Sequence, residues 1–264
     1  MSGNLNKTQA RHEKILSLVN ANDLVSLGEF CEILKCSEST IRNDLKYLEE
    51  NGMLRRTFGG AVATGDTPYN VNVSQRAKAY KQEKKDIAGY IVNNILSSGM
   101  TITLDSGTTN VEIAQRIIQS ALELTVITNS LPAAAVLSKT SSVKLFLAGG
   151  EYNNQQGSFT DQTTNDFLMT MRSDMFFLAV NGVSEDAGFT IAGPQETQSK
   201  QTMIRCSKQV YAVSDHSKIG KTGLKIVCGF DLVNTLITDD RADIEEIKKL
   251  EEAGLKVMLA PQGN

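Results

Sequence analysis

The chain has 264 residues, 41% hydrophobic and 22% charged, with 27 Lys and Arg against 30 Asp and Glu for a formal net charge of −3. This composition is ordinary for a soluble globular protein of one large or two modest domains, and a core can form without metals or disulfides. A net negative charge excludes any global attraction to nucleic acid. The first 65 residues balance eight cations against eight anions, so contact with nucleic acid has to come from local placement.

Apolar spacing predicts three helices at the start of the chain. The first runs from about Ala10 to Asn20 with Ile15, Leu16 and Val19 on one face, and it stops in the polar stretch Asn20-Ala21-Asn22-Asp23. The second follows Ser26 as N-cap and turns Leu27, Phe30, Cys31 and Leu34 inward. The third is capped by Ser37, carries Ile41, Leu45 and Leu48 at intervals of four and three, and ends at Asn51-Gly52. That spacing alone also fits a plain three-helix bundle. The exposed side of the third helix points further, because Glu38, Ser39, Thr40, Arg42, Asn43 and Lys46 lie on it, with polar and basic groups concentrated toward its N-terminal half and the capping Ser37. A helix entering the major groove uses that end, with Arg paired to guanine and Asn to adenine. Asp44 interrupts the series and is expected to turn inward, onto Arg42 or a neighbouring helix. The alternating run Met53 to Val62 predicts a two-stranded wing, whose Arg55 and Arg56 suit phosphates.

Residues 64–75 are polar, with Gly65 and Pro68, and are expected to be a linker between a domain of residues 1–63 and one of residues 76–264. The next helix is expected from Arg76 to Leu96, with Lys81, Glu83, Lys84 and Asp86 on a solvated face and Ile87, Ile91, Val92 and Ile95 inside. Strands are predicted at Met100 to Leu104, Leu124 to Thr128, Val143 to Ala148, Met175 to Val180, Gln209 to Val213, Thr235 to Thr238 and Lys256 to Leu259. Helices are predicted at Asn110 to Ser120, Pro132 to Ser138, Asp161 to Met171, Glu196 to Ser207 and Asp243 to Ala253. The alternation indicates an α/β domain with a mainly parallel sheet covered on both faces, whose ligands bind beyond the carboxyl ends of the strands.

Polar clusters fall at those ends. Asp105, Ser106, Gly107, Thr108 and Thr109 follow the first strand and open a helix, a turn that suits a phosphate group. Thr128, Asn129 and Ser130 follow the second strand, Gly149 and Gly150 the third, Asn181 and Gly182 the fourth, and Asp215, Ser217 and Lys218 the fifth. Lys200 and Lys218 can neutralise a phosphate, and Glu196, Asp105 or Asp215 can accept sugar hydroxyls. Glu196 and Lys200 can equally form an exposed pair four residues apart.

Cys31, Cys36, Cys206 and Cys228 are too scattered for a Cys-x-x-Cys pair and too few for a disulfide scaffold, so free thiols in a reducing cytoplasm are expected. With only His12 and His216, no metal site is expected, and nothing calls for a cofactor. The polar N-terminus lacks a signal-peptide core, and the longest apolar runs are too short to span a bilayer, so no membrane partner is expected.

The spacing Arg11-x3-Ile15-x3-Val19-x17-Ser37-x2-Thr40-Ile41-Arg42-Asn43-Asp44-Leu45, followed by Leu54-Arg55-Arg56-Thr57-Phe58-Gly59-Gly60-Ala61, resembles the winged helix-turn-helix of the DeoR family of transcription regulators. The clusters from Asp105-x-Gly107-Thr108-Thr109 to Asp215-x-Ser217-Lys218 resemble, in order, the DeoR-type effector domain, which is similar to sugar-phosphate isomerases. The resemblance implies a homodimer or homotetramer that binds double-stranded operator DNA, represses a sugar uptake or catabolism operon and is released by a phosphorylated sugar. Its implied DNA-facing residues are Ser37, Thr40, Arg42, Asn43, Arg55 and Arg56. The alternative is an isomerase-like enzyme. Such enzymes are expected to carry an acidic pair after the central strand, where this chain has Ala179-Val180-Asn181-Gly182. One departure is Asp161, at a position usually glycine in the family; lining the pocket, it would favour a less acidic ligand.

Overall fold

The computed structural model describes residues 2–21, 25–51, 53–57, 59–63 and 73–263. Most of the expected linker, the first helix's stop at Asn22-Asp23, Gly52 and Phe58 lie outside the described residues. The chain forms two compact units, one of residues 1–67 with 74–79 and one of residues 68–73 with 80–264.

In the first unit, helix α1 (Ser2–Ala21) precedes strand β1 (Val25–Ser26), α2 (Leu27–Leu34), α3 (Glu38–Glu50), β2 (Leu54–Thr57) and β3 (Gly60–Ala63). α1 begins well before Ala10; its leading residues are polar, so no apolar period marked them. Ser26 caps α2 in a reciprocal box with Glu29, and Ser37 caps α3 through the Thr40 N–H. The wing acquires a third strand, β1, which pairs with β3 and gives the order β1-β3-β2. Gly60 is required there, since a Cβ would meet the Val25 carbonyl oxygen at 2.0 Å. Ile15, Val19, Val25, Phe30, Ile41, Leu45, Leu48, Leu54 and Ala61 form one small core.

Asp44 turns inward as expected, but onto α1 and not onto Arg42. Arg11 donates to it through Nε and Nη2, and His12 Nε2 lies 2.9 Å from its Oδ1. Burial works against the Asp44 carboxylate, yet the Arg11 and His12 hydrogen bonds hold its pKa below the usual value.

A short α4 (Val73–Lys78) and then α5 (Lys81–Asn94) replace the single helix expected from Arg76 to Leu96. The break comes at Tyr80, whose φ of +50° is left-handed. α4 also takes in the last three residues assigned to the linker. Then follow β4 (Thr101–Leu104), α6 (Thr108–Ile117), β5 (Leu124–Thr128), α7 (Leu131–Leu137), β6 (Val143–Leu147), β7 (Tyr152–Asn153), β8 (Ser158–Phe159), α8 (Gln162–Met169), β9 (Ser173–Ala179), β10 (Gly182–Ser184), β11 (Gly188–Ile191), α9 (Thr197–Arg205), β12 (Ser207–Val213), β13 (Lys225–Cys228), β14 (Thr235–Asp239), α10 (Ile244–Glu252) and β15 (Val257–Ala260).

All seven expected strands form one parallel sheet in the order β15-β14-β12-β9-β4-β5-β6. Along β9, Met175, Phe177 and Ala179 join α5, α6 and α7 in one core, while Phe176 and Leu178 join α8, α9 and α10 in the other. This alternation between covered faces is why the strands read as continuous apolar runs. A small antiparallel sheet, β10-β11-β13, and the β7-β8 hairpin were not expected.

The contrast between a half-buried and an exposed ion pair of α3 gives a test of stability. Asp44→Ala strips the counter-charge from the half-buried Arg11, so it is expected to cost about 1–3 kcal/mol. Glu38→Ala removes an exposed i,i+4 partner of Arg42 and is expected to cost less than about 0.5 kcal/mol. Thermal unfolding followed by far-UV circular dichroism checks both, and equal losses would contradict the assignment.

Candidate functional site

The parallel strand order runs one way from β4 to β6 and the other way from β9 to β15, so the topological switch point lies between β4 and β9. Parallel sheets open a crevice there, at the carboxyl ends of the strands. Asp105, 1% exposed, leaves β4 at that point. It stands out of phase with Leu104 and therefore faces α9. Its Oδ1 accepts the Gly107 N–H at 3.0 Å and the Asn110 amide at 2.7 Å; its Oδ2 accepts the Ala179 N–H at 3.0 Å and Lys200 Nζ at 2.6 Å. Lys200 also donates to the Ala179 carbonyl at 2.9 Å. Gly107 admits no side chain, because a Cβ would stand 2.0 Å from that of Ala179.

Glu196 and Lys200 are both 3% exposed and have separate partners, Ser106 Oγ and Asp105. An exposed i,i+4 pair is thereby corrected: Glu196 lies in a 3-10 turn before α9, and each charge is buried against another chain segment. α6 starts at Thr108 with no side-chain cap on its first turn, which leaves the unbonded N–H groups of a helix start beside this network.

Further along the same edge, Asn129 donates to the Phe159 carbonyl at 2.8 Å, and Ser130 caps α7. The Thr128 hydroxyl accepts the Ser130 N–H at 3.0 Å. The buried Asn129 Oδ1 and Ser158 Oγ have no protein partner. Gly149 and Gly150 are exposed, and Gly149 accepts the Thr164 hydroxyl at 2.9 Å. Asn181 uses its amide oxygen on the Ala192 N–H at 3.0 Å, and Gly182 packs against Lys221 and Thr190.

On the opposite face of the sheet, Asp215 and Asp239 stand in phase with Val213 and Ile237 and so face α5. Here the solvated face expected on α5 is corrected: Glu83, Lys84 and Asp86 are 6%, 4% and 3% exposed. Glu83 pairs with Arg241 at 2.6 Å, Lys84 Nζ lies 3.8 Å from Asp215, and Asp86 accepts the Gly263 N–H. Sequence spacing gave no sign of this, because each partner is more than 100 residues away. Asp215 also accepts the Ser217 N–H at 3.2 Å and the Ser217 hydroxyl. Burial opposes its charge, but Lys218 and Lys84 hold its pKa below the usual carboxylate value. His216 Nδ1 lies 2.8 Å from Asp239, and Tyr80 packs edge-on against the ring. Burial opposes the imidazolium, the Asp239 contact favours it, and the net effect raises the His216 pKa.

A depression of about 700 Å³ lies at the other end of the sheet, lined by Ser97 to Met100, Asp174, Met175, Lys208 and Gln209. Its carboxylate, Asp174, is already taken by Lys208 and the Thr101 N–H. The converging polar groups are at the carboxyl edge.

In the first unit, Ser37, Ser39, Arg42, Asn43 and Lys46 are exposed along α3, and Thr40 is half-buried. Arg55 and Arg56 are exposed on β2, with Arg56 held 2.6 Å from Glu49. Among the described residues no cluster of His, Cys, Asp and Glu could hold a metal ion, no helix is long and apolar enough to cross a membrane, and the four cysteines are free.

Residues 11–67 match the family model of the DeoR-like helix-turn-helix domain, and residues 80–240 that of the DeoR C-terminal sensor domain. The chain is 32% identical to the transcriptional repressor AccR of Agrobacterium fabrum, over 92% of this chain and 94% of that protein. It is also 32% identical to the lactose phosphotransferase system repressor of Staphylococcus epidermidis, over 91% and 95%. Among solved structures it is similar to ribose 5-phosphate isomerase from Methanocaldococcus jannaschii, with 20% identity, a TM-score of 0.41, and coverage of 56% of this chain and 58% of that one.

Two predictions concern the buried charges. Lys200→Met leaves Asp105 buried without a counter-ion and is expected to cost about 3–5 kcal/mol, whereas Lys208→Ala breaks an exposed pair and is expected to cost under about 1 kcal/mol; calorimetric unfolding compares them. For His216, whose folded pKa is raised from 6.5, the stabilisation is complete below pH 6.5 and is lost as pH rises through the folded value. The wild-type melting temperature is therefore expected to fall between pH 6 and 8 relative to that of His216→Gln. Parallel pH profiles for the two would contradict it.

Proposed function

The chain belongs to the DeoR family of transcription regulators, and from that premise we propose that it represses a sugar uptake or catabolism operon and is released from operator DNA by a phosphorylated sugar. The observation that carries the sensor half is the placement of Asp105, Asn129, Asn181 and Asp215 on one sheet edge around the switch point, beside the uncapped start of α6. The hydroxyls and N–H groups of Thr108 and Thr109 with Lys218 supply the phosphate contacts; Asn129, Ser130, Gly149, Gly150, Asn181 and Ser217 line the sugar.

The DNA half rests on α3. With Asp44 drawn onto Arg11, the exposed row of Ser39, Arg42, Asn43 and Lys46 is cleared of the carboxylate nearest its centre. Arg55 and Arg56 then hold phosphates and set orientation. A homodimer or homotetramer places two such helices on half-sites about 34 Å apart or a multiple of it. Ligand binding changes that spacing, and a coupling of about 1–3 kcal/mol shifts operator affinity several-fold to a hundredfold.

Turnover is not part of this reading. A general base for isomerisation needs a free carboxylate at the carbon that loses its proton. Asp105 is enclosed by four donors, Glu196 accepts from Ser106, and position 181 offers an amide that is itself engaged.

The test separates the halves. Arg42→Ala is expected to weaken operator binding by about 5- to 150-fold, corresponding to about 1–3 kcal/mol, while the melting-temperature shift caused by a sugar phosphate is unchanged. Thr108→Ala and Lys218→Ala are expected to abolish that shift and leave operator binding intact. Loss of both properties in any one variant would sink the division of labour, and no shift with any of a broad panel of sugar phosphates would sink the sensor reading.

A further inference from the structure

On the face of the sheet covered by α8 and α9, one strand differs from its neighbours. β5, β9 and β12 turn Ile127, Phe176, Leu178, Val210 and Ala212 into the apolar core of that face. β4 sends Ile102 and Leu104 to the opposite core, and the residues alternating with them, Thr103 and Asp105, are polar and buried. α8 is tied to the loop after β6 through Thr164 on Gly149, and α9 is tied to β9 through Lys200 on the Ala179 carbonyl. The line where the two helices meet, marked by the hydrogen bond from Gln198 to Gln162, therefore crosses the ends of β4 and β5.

Three polar side chains line this cleft. On α9, Gln198 faces α8 and Lys200 faces the sheet, so Ser199, about 100° round the helix from each, lies between them. On α8, Gln162 faces α9 and Leu168 enters the core, and Asn165, three residues from each, lies between them. Asn129 follows β5 in phase with Ile127. All three residues are at most 2% exposed, yet Ser199 Oγ, Asn165 Oδ1 and Asn129 Oδ1 have no hydrogen-bond partner among the described residues. Buried polar atoms are rarely left so. The two amides cannot be turned round to cure it, because Asn165 Nδ2 already donates to the Asp161 carbonyl at 2.9 Å and Asn129 Nδ2 to the Phe159 carbonyl at 2.8 Å. Their open ends are carbonyl oxygens, which only accept.

We propose that the α8–α9 cleft reads the hydroxyl end of the effector, and so selects a singly phosphorylated sugar or sugar alcohol that is fully hydroxylated at the end away from its phosphate. The inference rests on the phosphate-site reading above and adds what that site selects. Two amide oxygens require donors, which a second phosphate or a carboxylate lacks. The Asp161 carboxylate that caps α8 repels such an anion as well. Hydroxyls donate without bringing a charge, which suits a cleft whose floor carboxylate, Asp105, is already paired with Lys200.

The test titrates the full chain calorimetrically with inorganic phosphate and with hexose and hexitol 6-phosphates, alongside the 2-deoxy, 2-amino and 2-acetamido forms of the hexose phosphates. The tightest ligand is expected to be a fully hydroxylated compound that binds at least tenfold more tightly than phosphate. Ser199→Ala is expected to weaken that compound about tenfold and Asn165→Leu at least tenfold, with phosphate affinity unchanged in both. Ser199→Ala removes a hydroxyl that bonds nothing, so its ligand-free melting temperature is expected not to fall, and it serves alone if Asn165→Leu does not fold. Unchanged affinity for the compound in Ser199→Ala, a lowered melting temperature in that variant, or an equal loss of phosphate affinity overturns the inference. So does a deoxy, amino or acetamido form that binds as tightly as its parent, or a panel that binds no better than phosphate, and in these cases the phosphate site stands. A wild type that binds neither phosphate nor any of the panel overturns both.

Discussion

Asp105 leaves β4 with a carboxylate that is almost wholly buried, and four donors from four separate places converge on it: its own turn, α6, β9 and α9. A buried charge is tolerated only when it is paired and its lone pairs are met. Meeting that demand joins the two strands at the switch point, sets where α6 begins and brings α9 in from the other face. The close approach of the turn to Ala179 leaves room for glycine alone at position 107. Residues read from sequence as ligand contacts therefore divide into two kinds. Asp105 and Lys200 hold each other, whereas the proposed direct contacts of Thr108, Thr109 and Lys218 lie outside that pair.

The same electrostatic logic recurs in the small N-terminal unit. α3 carries four carboxylates near its exposed cations. Asp44 is folded under, onto Arg11 and His12; Glu38 and Glu50 stay exposed beside Arg42 and Lys46; Glu49 pairs with Arg56 of the wing. The first contact ties α3 to α1. The others are solvated pairs of little energetic weight.

The parallel sheet was legible because seven apolar runs had no solvated face to interrupt them, and the helix starts after Ser26 and Ser37 were legible because an N-cap is a local signal. What sequence reading missed depends on distant partners. Lys81 to Asp86 looks like a solvated charge run, and nothing within it reveals that Glu83 meets Arg241 or that Lys84 meets Asp215. The β10-β11-β13 sheet escaped notice for another reason: its strands are three or four residues long, and β13 joins them from far along the chain. The polar clusters at the carboxyl ends of the strands were legible, but which of their charges pair internally was not.

Asp161 shows how a departure from a family pattern can be absorbed by local structure. At a position usually occupied by glycine, a carboxylate suggested a pocket lining of altered charge. In the structure it caps α8, accepting the Thr164 N–H at 3.0 Å and the Thr164 hydroxyl at 2.7 Å. These hydrogen bonds hold its pKa at about 2, so it is charged throughout the neutral range. Gly150 lies directly against it with φ at +146°, and a Cβ there would meet Asp161 Oδ1 at 2.0 Å. Gly150 and Asp161 are thus one arrangement, in which the loop after β6 passes close over a helix start already supplied with its own anion. Because a helix N-terminus occupied by its own carboxylate has little left to offer a phosphate, the start of α6, which has no side-chain cap, has more to offer the anionic end of the proposed ligand than the start of α8.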